Sequence, residues 1–178
     1  VHASTQSEVE FAQAYHHYSE GDHSRAEARF QSALTDSALV LAGYALHYLG
    51  RIAIETERYQ HAQGYYSRLR RLFPQSIWGT EASFAFVEID LARRRYQAAI
   101  RRAIGLKKAA RGRHDRARAA YYLGQAYAAI HNNREAYSFH QEARRRAPRS
   151  RWASRAKDKI LELRRKHPGT LGLRSGSA

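Results

Sequence analysis

The chain has 178 residues, with 31 Lys and Arg against 16 Asp and Glu and a net charge of +15. Its lack of cysteine excludes a disulfide framework and a thiolate metal site, and no apolar run approaches the ~18 residues of a membrane span. Only three prolines and eleven glycines, amid abundant Ala, Leu, Arg and Tyr, favour helix over sheet. Methionine is also absent, so Val1 is not a translational start. The expectation is that a targeting segment has been removed or that the chain is a piece of a longer one.

In chain order, the apolar periodicity predicts an all-α chain of four helical hairpins, at about 7–35, 39–73, 77–110 and 115–147. A capping helix is predicted at about 150–166. Ser150 caps its start, and Trp152, Ala156, Ile160 and Leu163 form its apolar stripe. Pro168-Gly169 ends it, so 1–167 reads as one repeat domain and 168–178 as a flexible tail or linker. The hairpins share a register. Ala26, Ala62, Ala99 and Ala136 recur at intervals of 36, 37 and 37, each just after a short turn. Those turns are Glu20-Gly21-Asp22, Glu57-Arg58-Tyr59, Arg94-Arg95-Tyr96 and Asn132-Asn133-Arg134. Four residues beyond the alanines come Phe30, Tyr66, Ala103 and His140. Pro74-Gln75-Ser76-Ile77-Trp78 returns as Pro148-Arg149-Ser150-Arg151-Trp152, 74 residues later.

Leu49-Gly50, Ala62, Tyr66 and Pro74, with Leu123-Gly124, Tyr127, Ala136, Ala143 and Pro148, resemble the tetratricopeptide repeat (TPR), whose period is about 34 residues. The match covers about residues 7–148. It is weakest in the third hairpin, where Val87 stands in place of the expected glycine. The resemblance implies a right-handed superhelical solenoid whose first helices line a concave binding surface. The groove-facing positions then fall on Phe11, Tyr15, Tyr18, Tyr44, His47, Arg51, Phe84, Glu88, Tyr121 and Gln125. Aromatic rings with a few polar groups are the material of peptide and interface hot spots. The Lys and Asn set of carboxylate-clamping TPRs is missing from these positions.

Charge is unevenly spread. Residues 1–90 hold 7 Lys and Arg against 11 Asp and Glu, whereas 91–178 hold 24 against 5. The rear half therefore presents a basic patch that includes Arg93, Arg94, Arg101, Arg102, Lys107, Lys108, Arg144, Arg145 and Arg146. Such an excess attracts anions: acidic protein segments, an anionic cell-wall polymer or a membrane surface. No nucleic-acid motif accompanies it, so specific nucleic-acid recognition is not expected.

No catalytic constellation emerges. There is no phosphate loop, no G-x-S-x-G and no H-E-x-x-H. His16 and His17 point to different helix faces, so no metal is expected, and no cofactor either. Ser154-Arg155-Ala156-Lys157 spells S-x-x-K without its companion motifs, and Glu81-Ala82-Ser83-Phe84 is a disordered echo of a transglycosylase segment. The Pro-x-Ser-x-Trp joints and His167-Pro168-Gly169-Thr170 resemble bacterial envelope TPR proteins. These are the outer-membrane assembly lipoprotein, the Tol-Pal accessory protein and the helical N-terminal region of soluble lytic transglycosylases. The resemblance implies a periplasmic or envelope setting, with the cytoplasm as the alternative. The lipidated cysteine of the first and the catalytic domain of the last are missing. Three readings stay open: a non-catalytic protein-binding envelope scaffold, the helical arm of a larger peptidoglycan-processing enzyme, and a cytosolic nucleic-acid-associated scaffold.

Overall fold

A computed structural model describes residues 6–35 and 39–169. The predicted tail from residue 170 onward lies outside the described residues. Among these residues there are nine helices and no strand: α1 (Gln6–Ser19), α2 (His23–Thr35), α3 (Leu39–Glu55), α4 (Tyr59–Leu72), α5 (Ile77–Ala92), α6 (Tyr96–Ala109), α7 (Arg113–Ala129), α8 (Asn133–Arg146) and α9 (Arg151–Lys166). The chain divides within α5 into two compact units, Val1–Ala85 and Phe86–Ala178. In the first, α1 packs on α2, α2 on α3 and α3 on α4. In the second, α6 packs on α7 and α7 on α8, while α9 lies against both α7 and α8.

Two hairpins lock through a pair of residues spaced 16 apart, Gly50 with Tyr66 and Gly124 with His140, and the equivalent positions of the first and third hairpins hold Ala14 and Phe30, and Val87 and Ala103. Every side chain in these pairs is buried. The glycines are there because a ring lies on their backbone. A Cβ on Gly50 would stand 2.5 Å from Tyr66 Cε2, and one on Gly124 would stand 2.5 Å from His140 Cε1. A small residue opposite a large one is how close-packed interiors interdigitate. In the third pair the sizes are exchanged, with Val87 on α5 and Ala103 on α6. The third hairpin therefore departs from the repeat by carrying the larger of the two residues on its first helix.

The turns repeat as well. Gly21, Glu57, Arg94 and His131 all have positive φ, of 78, 59, 57 and 61°. At each, two backbone bonds close the helix end, as in Glu57 N to Ile54 O (3.0 Å) and Arg58 N to Ala53 O (2.7 Å). These are Schellman closures, which need one left-handed residue and favour glycine there. Only the first turn has it. A Cβ on Gly21 would meet nothing within 4 Å, so backbone conformation alone sets the cost of a side chain at that position. Arg94→Gly is expected to raise stability by about 1 kcal/mol and Gly21→Ala to lower it by about 1 kcal/mol. Urea midpoints of the two variants measure this, and equal shifts of the same sign would contradict it.

Serine closes both Pro-x-Ser-x-Trp joints. Ser76 Oγ donates to Phe73 O (2.9 Å) and accepts from Trp78 N (3.1 Å). Ser150 Oγ donates to Ala147 O (2.7 Å) and accepts from Ala153 N (3.2 Å). Each cap starts a helix that carries a tryptophan, and each tryptophan lies on the first helix of the preceding hairpin. Trp78 reaches α3, where a Cβ on Gly43 would fall 2.6 Å from its Nε1. Trp152 meets Tyr121 and Tyr122 of α7, each at 5.5 Å between ring centroids. α9 buries Trp152, Ala153, Ala156, Ile160 and Leu163 and leaves its basic face in solvent.

Candidate partner-binding surface

In the first unit, α1 and α3 build a continuous aromatic layer. Phe11 stands edge-on to Phe30 (5.5 Å) and Tyr44 (6.0 Å), and Tyr44 meets Trp78 at 4.6 Å. Tyr48 joins Tyr15 (5.5 Å), Tyr18 (5.0 Å) and the fully buried Phe30 (5.2 Å, stacked). Edge-to-face and stacked pairs of this kind fix ring orientation beyond what area burial supplies. On top of the layer, Tyr15 is 49% exposed and Tyr44 is 44% exposed. Phe11, Tyr18 and His47 are half-buried beside them, and His47 reaches Trp78 at 5.7 Å.

The layer has a polar edge centred on Glu55. That carboxylate accepts from Tyr18 Oη (3.0 Å) and Arg51 Nη2 (3.3 Å), with His23 Nε2 at 3.5 Å. Burial raises the Tyr18 hydroxyl pKa, and the Glu55 charge raises it further. Burial likewise raises that of Tyr48, with Tyr15 adding to it. Both hydroxyls therefore stay neutral and able to donate at physiological pH.

The remaining predicted groove residues are engaged within their own units. Phe84 is 1% exposed and belongs to the core of the first unit. In the second unit Tyr121 is 7% exposed, its ring against Tyr122 (5.6 Å), His140 (5.6 Å) and Trp152 (5.5 Å). Gln125 Nε2 donates to the Tyr121 hydroxyl at 2.9 Å. Glu88 accepts from the buried Tyr122 hydroxyl and has Arg118 Nη2 at 3.7 Å. Burial raises the Tyr122 hydroxyl pKa strongly, with Glu88 adding to it. Arg118 itself lies 5.0 Å from the Trp152 ring. It occupies the position 74 residues beyond Tyr44, which contacts Trp78 in the same way. The front unit thus presents rings where the rear unit encloses a polar network. Sequence reasoning missed Tyr48 and the contribution of Trp78. The spacing of Tyr44 and Tyr48, one helical turn apart, was the available signal.

The predicted basic patch is partly consumed internally. Asp90, 2% exposed, is held by Arg95 Nη2 (2.6 Å) and Arg102 Nε (2.7 Å). Glu142 takes Lys107 Nζ (2.6 Å) and Arg146 Nε (2.8 Å). These contacts lower the Glu142 pKa against the opposing effect of its burial. Arg93, Arg94, Arg101, Lys108, Arg144 and Arg145 are exposed and form no ion pair among the described residues.

Chemistry is sparse elsewhere. Among the described residues no three His, Cys, Asp or Glu side chains gather as a metal site. Ser83 Oγ donates to Gly79 O within its own helix (2.8 Å), and Ser154 and Lys157 are exposed on α9. No helix among the described residues is long and apolar enough to cross a membrane.

Repeating hairpins, interlocked small–large pairs and a covering last helix define an all-α fold of the TPR type. Solved structures agree. The chain is similar to RapI in its apo form, with a TM-score of 0.76, 10% identity and 92% of this chain covered. It spans 65% of the length of RapI. It is also similar to a double mutant of MamA RS-1 and to MamA 41-end from Desulfovibrio magneticus RS-1, both at a TM-score of 0.64 and 18% identity. Each covers 92% of this chain, which spans 97% and 98% of the two MamA chains. At such identities the likeness is one of fold. No protein-family model matches the sequence, and no curated protein does.

Proposed function

We propose that the protein is a non-catalytic scaffold that holds a segment of a protein partner on the aromatic face of α1 and α3. The observation that carries this reading is the half-exposure of Tyr15 and Tyr44 above rings already packed in place. Rigid aromatic side chains lose little entropy on binding, and Tyr is enriched at interface hot spots. The Glu55 edge, with Tyr18, Arg51 and His23, supplies hydrogen-bonding groups beside the apolar field. A setting in the bacterial cell envelope belongs to the same proposal and rests on the Pro-x-Ser-x-Trp joints.

Crosslinked capture from an envelope fraction tests it. Tyr15→Ala with Tyr44→Ala is expected to weaken partner recovery more than tenfold, since each truncated hot-spot ring costs about 2 kcal/mol. Circular dichroism should stay unchanged, because both rings are outside the core. Undiminished capture by the double variant would sink the proposal.

A further inference from the structure

The rear unit holds a concave feature of its own. A cavity of about 300 Å³ opens between the first turn of α7 and the joint joining α8 to α9, lined by Arg113, His114, Ala147, Pro148 and Arg149. One residue difference between the repeats falls at its floor. The residue preceding the joint proline is Phe73 in the second hairpin and Ala147 in the fourth. Ala147 is 2% exposed, so the floor is apolar and closed, and it carries a methyl group where Phe73 carries a ring. The rim has the opposite character. Arg113, His114 and Arg149 are exposed and make no ion pair among the described residues. Across 111–116 and 144–155, leaving out Arg146 with its partner Glu142, there are eight arginines against the single carboxylate of Asp115.

An apolar floor of one side chain's dimensions under a cationic rim selects a particular ligand chemistry. We infer that this cavity is a docking site for an acidic peptide segment of a partner protein, which seats one aromatic or large aliphatic side chain over Ala147 and Pro148. Its flanking carboxylates meet Arg113, Arg149 and His114. Guanidinium groups bind carboxylates by paired hydrogen bonds, and the surrounding positive field speeds encounter. Nucleic acid fits less well. The lining residues include no Phe, Tyr or Trp as a platform for successive bases, and Trp152 is 6% exposed. A simple inorganic anion has no use for the apolar floor.

Fluorescence anisotropy with three labelled probes tests the assignment: a short polyglutamate peptide with one central phenylalanine, the same peptide with alanine there, and oligothymidylate. The phenylalanine peptide is expected to bind about tenfold more tightly than the alanine peptide, because only it buries a ring. Ala147→Phe, which restores the residue of the second hairpin, is expected to abolish that difference and leave alanine-peptide binding unchanged. Arg113→Gln with Arg149→Gln is expected to weaken both peptides, and Tyr15→Ala with Tyr44→Ala neither. Should Ala147→Phe perturb folding, a benzoylphenylalanine probe on the unaltered protein is expected to crosslink within 113–114 and 147–149. Equal affinity of the two peptides, tighter binding of oligothymidylate, or crosslinks confined to other segments would overturn the inference. Because the aromatic face is mutated separately, failure here leaves the front-unit proposal standing, and the reverse holds too.

Discussion

Lowering the pH from about 6.5 to about 4 is expected to remove about 3 kcal/mol of stability through one side chain, His140. His140 is fully buried on α8, neither ring nitrogen has a hydrogen-bond partner among the described residues, and the ring lies on the backbone of Gly124. Burial penalises the imidazolium and pulls the pKa down from 6.5 to about 4; Lys159 adds to the effect and Glu162 opposes it. The folded protein therefore keeps this ring neutral over a range where the unfolded chain protonates it. The stabilisation is complete above the unfolded value, falls as pH drops through the interval, and stops changing below about 4. Glu142 and Glu162 have pKa values below 4.5, so the stability they confer is lost only at lower pH. The interval from 6.5 to 4.5 belongs to His140. His140→Phe places in the fourth hairpin the residue that the first carries at Phe30. Urea denaturation across this interval should show a slope in the parent protein and a nearly flat line in the variant. An unchanged slope would mean that the ring is protonated in the folded state.

The second large effect concerns the exchanged pair. Val87→Gly opens a cavity and places glycine within α5, at a cost of about 3 kcal/mol. Ala103→Tyr pushes a ring into a full site, costing about 3 kcal/mol or more. Together they recreate the arrangement of Gly50 under Tyr66. The double variant is thus expected to recover about 2–3 kcal/mol relative to the sum of the singles. A double-mutant cycle from denaturant unfolding measures that coupling, and strict additivity would show that the two positions do not share one volume.

These same residues show what the sequence could and could not reveal. The repeat was legible because Ala26, Ala62, Ala99 and Ala136 recur in step with turns and joints, all of them local features. The third hairpin looked degenerate because it departs at two positions sixteen residues apart, Val87 and Ala103, both buried. The register also placed Tyr121 and Phe84 among groove positions. Their burial depends on what covers them: Tyr121 is closed over by Trp152, from a helix that begins 30 residues later. Charge count overstated the basic patch for a similar reason. Asp90 neutralises Arg102, 12 residues away in sequence, and Glu142 neutralises Lys107, 35 residues away. Tyr48 was overlooked because its role comes from rings on two other helices, those of Tyr15, Tyr18 and Phe30.

The spacing of sixteen between interlocked residues has a kinetic side. A loop of that length closes at small entropic cost, and the decisive contacts of every hairpin lie within one such loop. Chains whose native contacts are mostly local cross low barriers and fold in microseconds to milliseconds. In linear arrays, nucleation can start in any repeat and spread to its neighbours. Ala14–Phe30, Gly50–Tyr66, Val87–Ala103 and Gly124–His140 are thus four alternative starting points for one folding reaction. Damage to any one of them slows a route without closing the others.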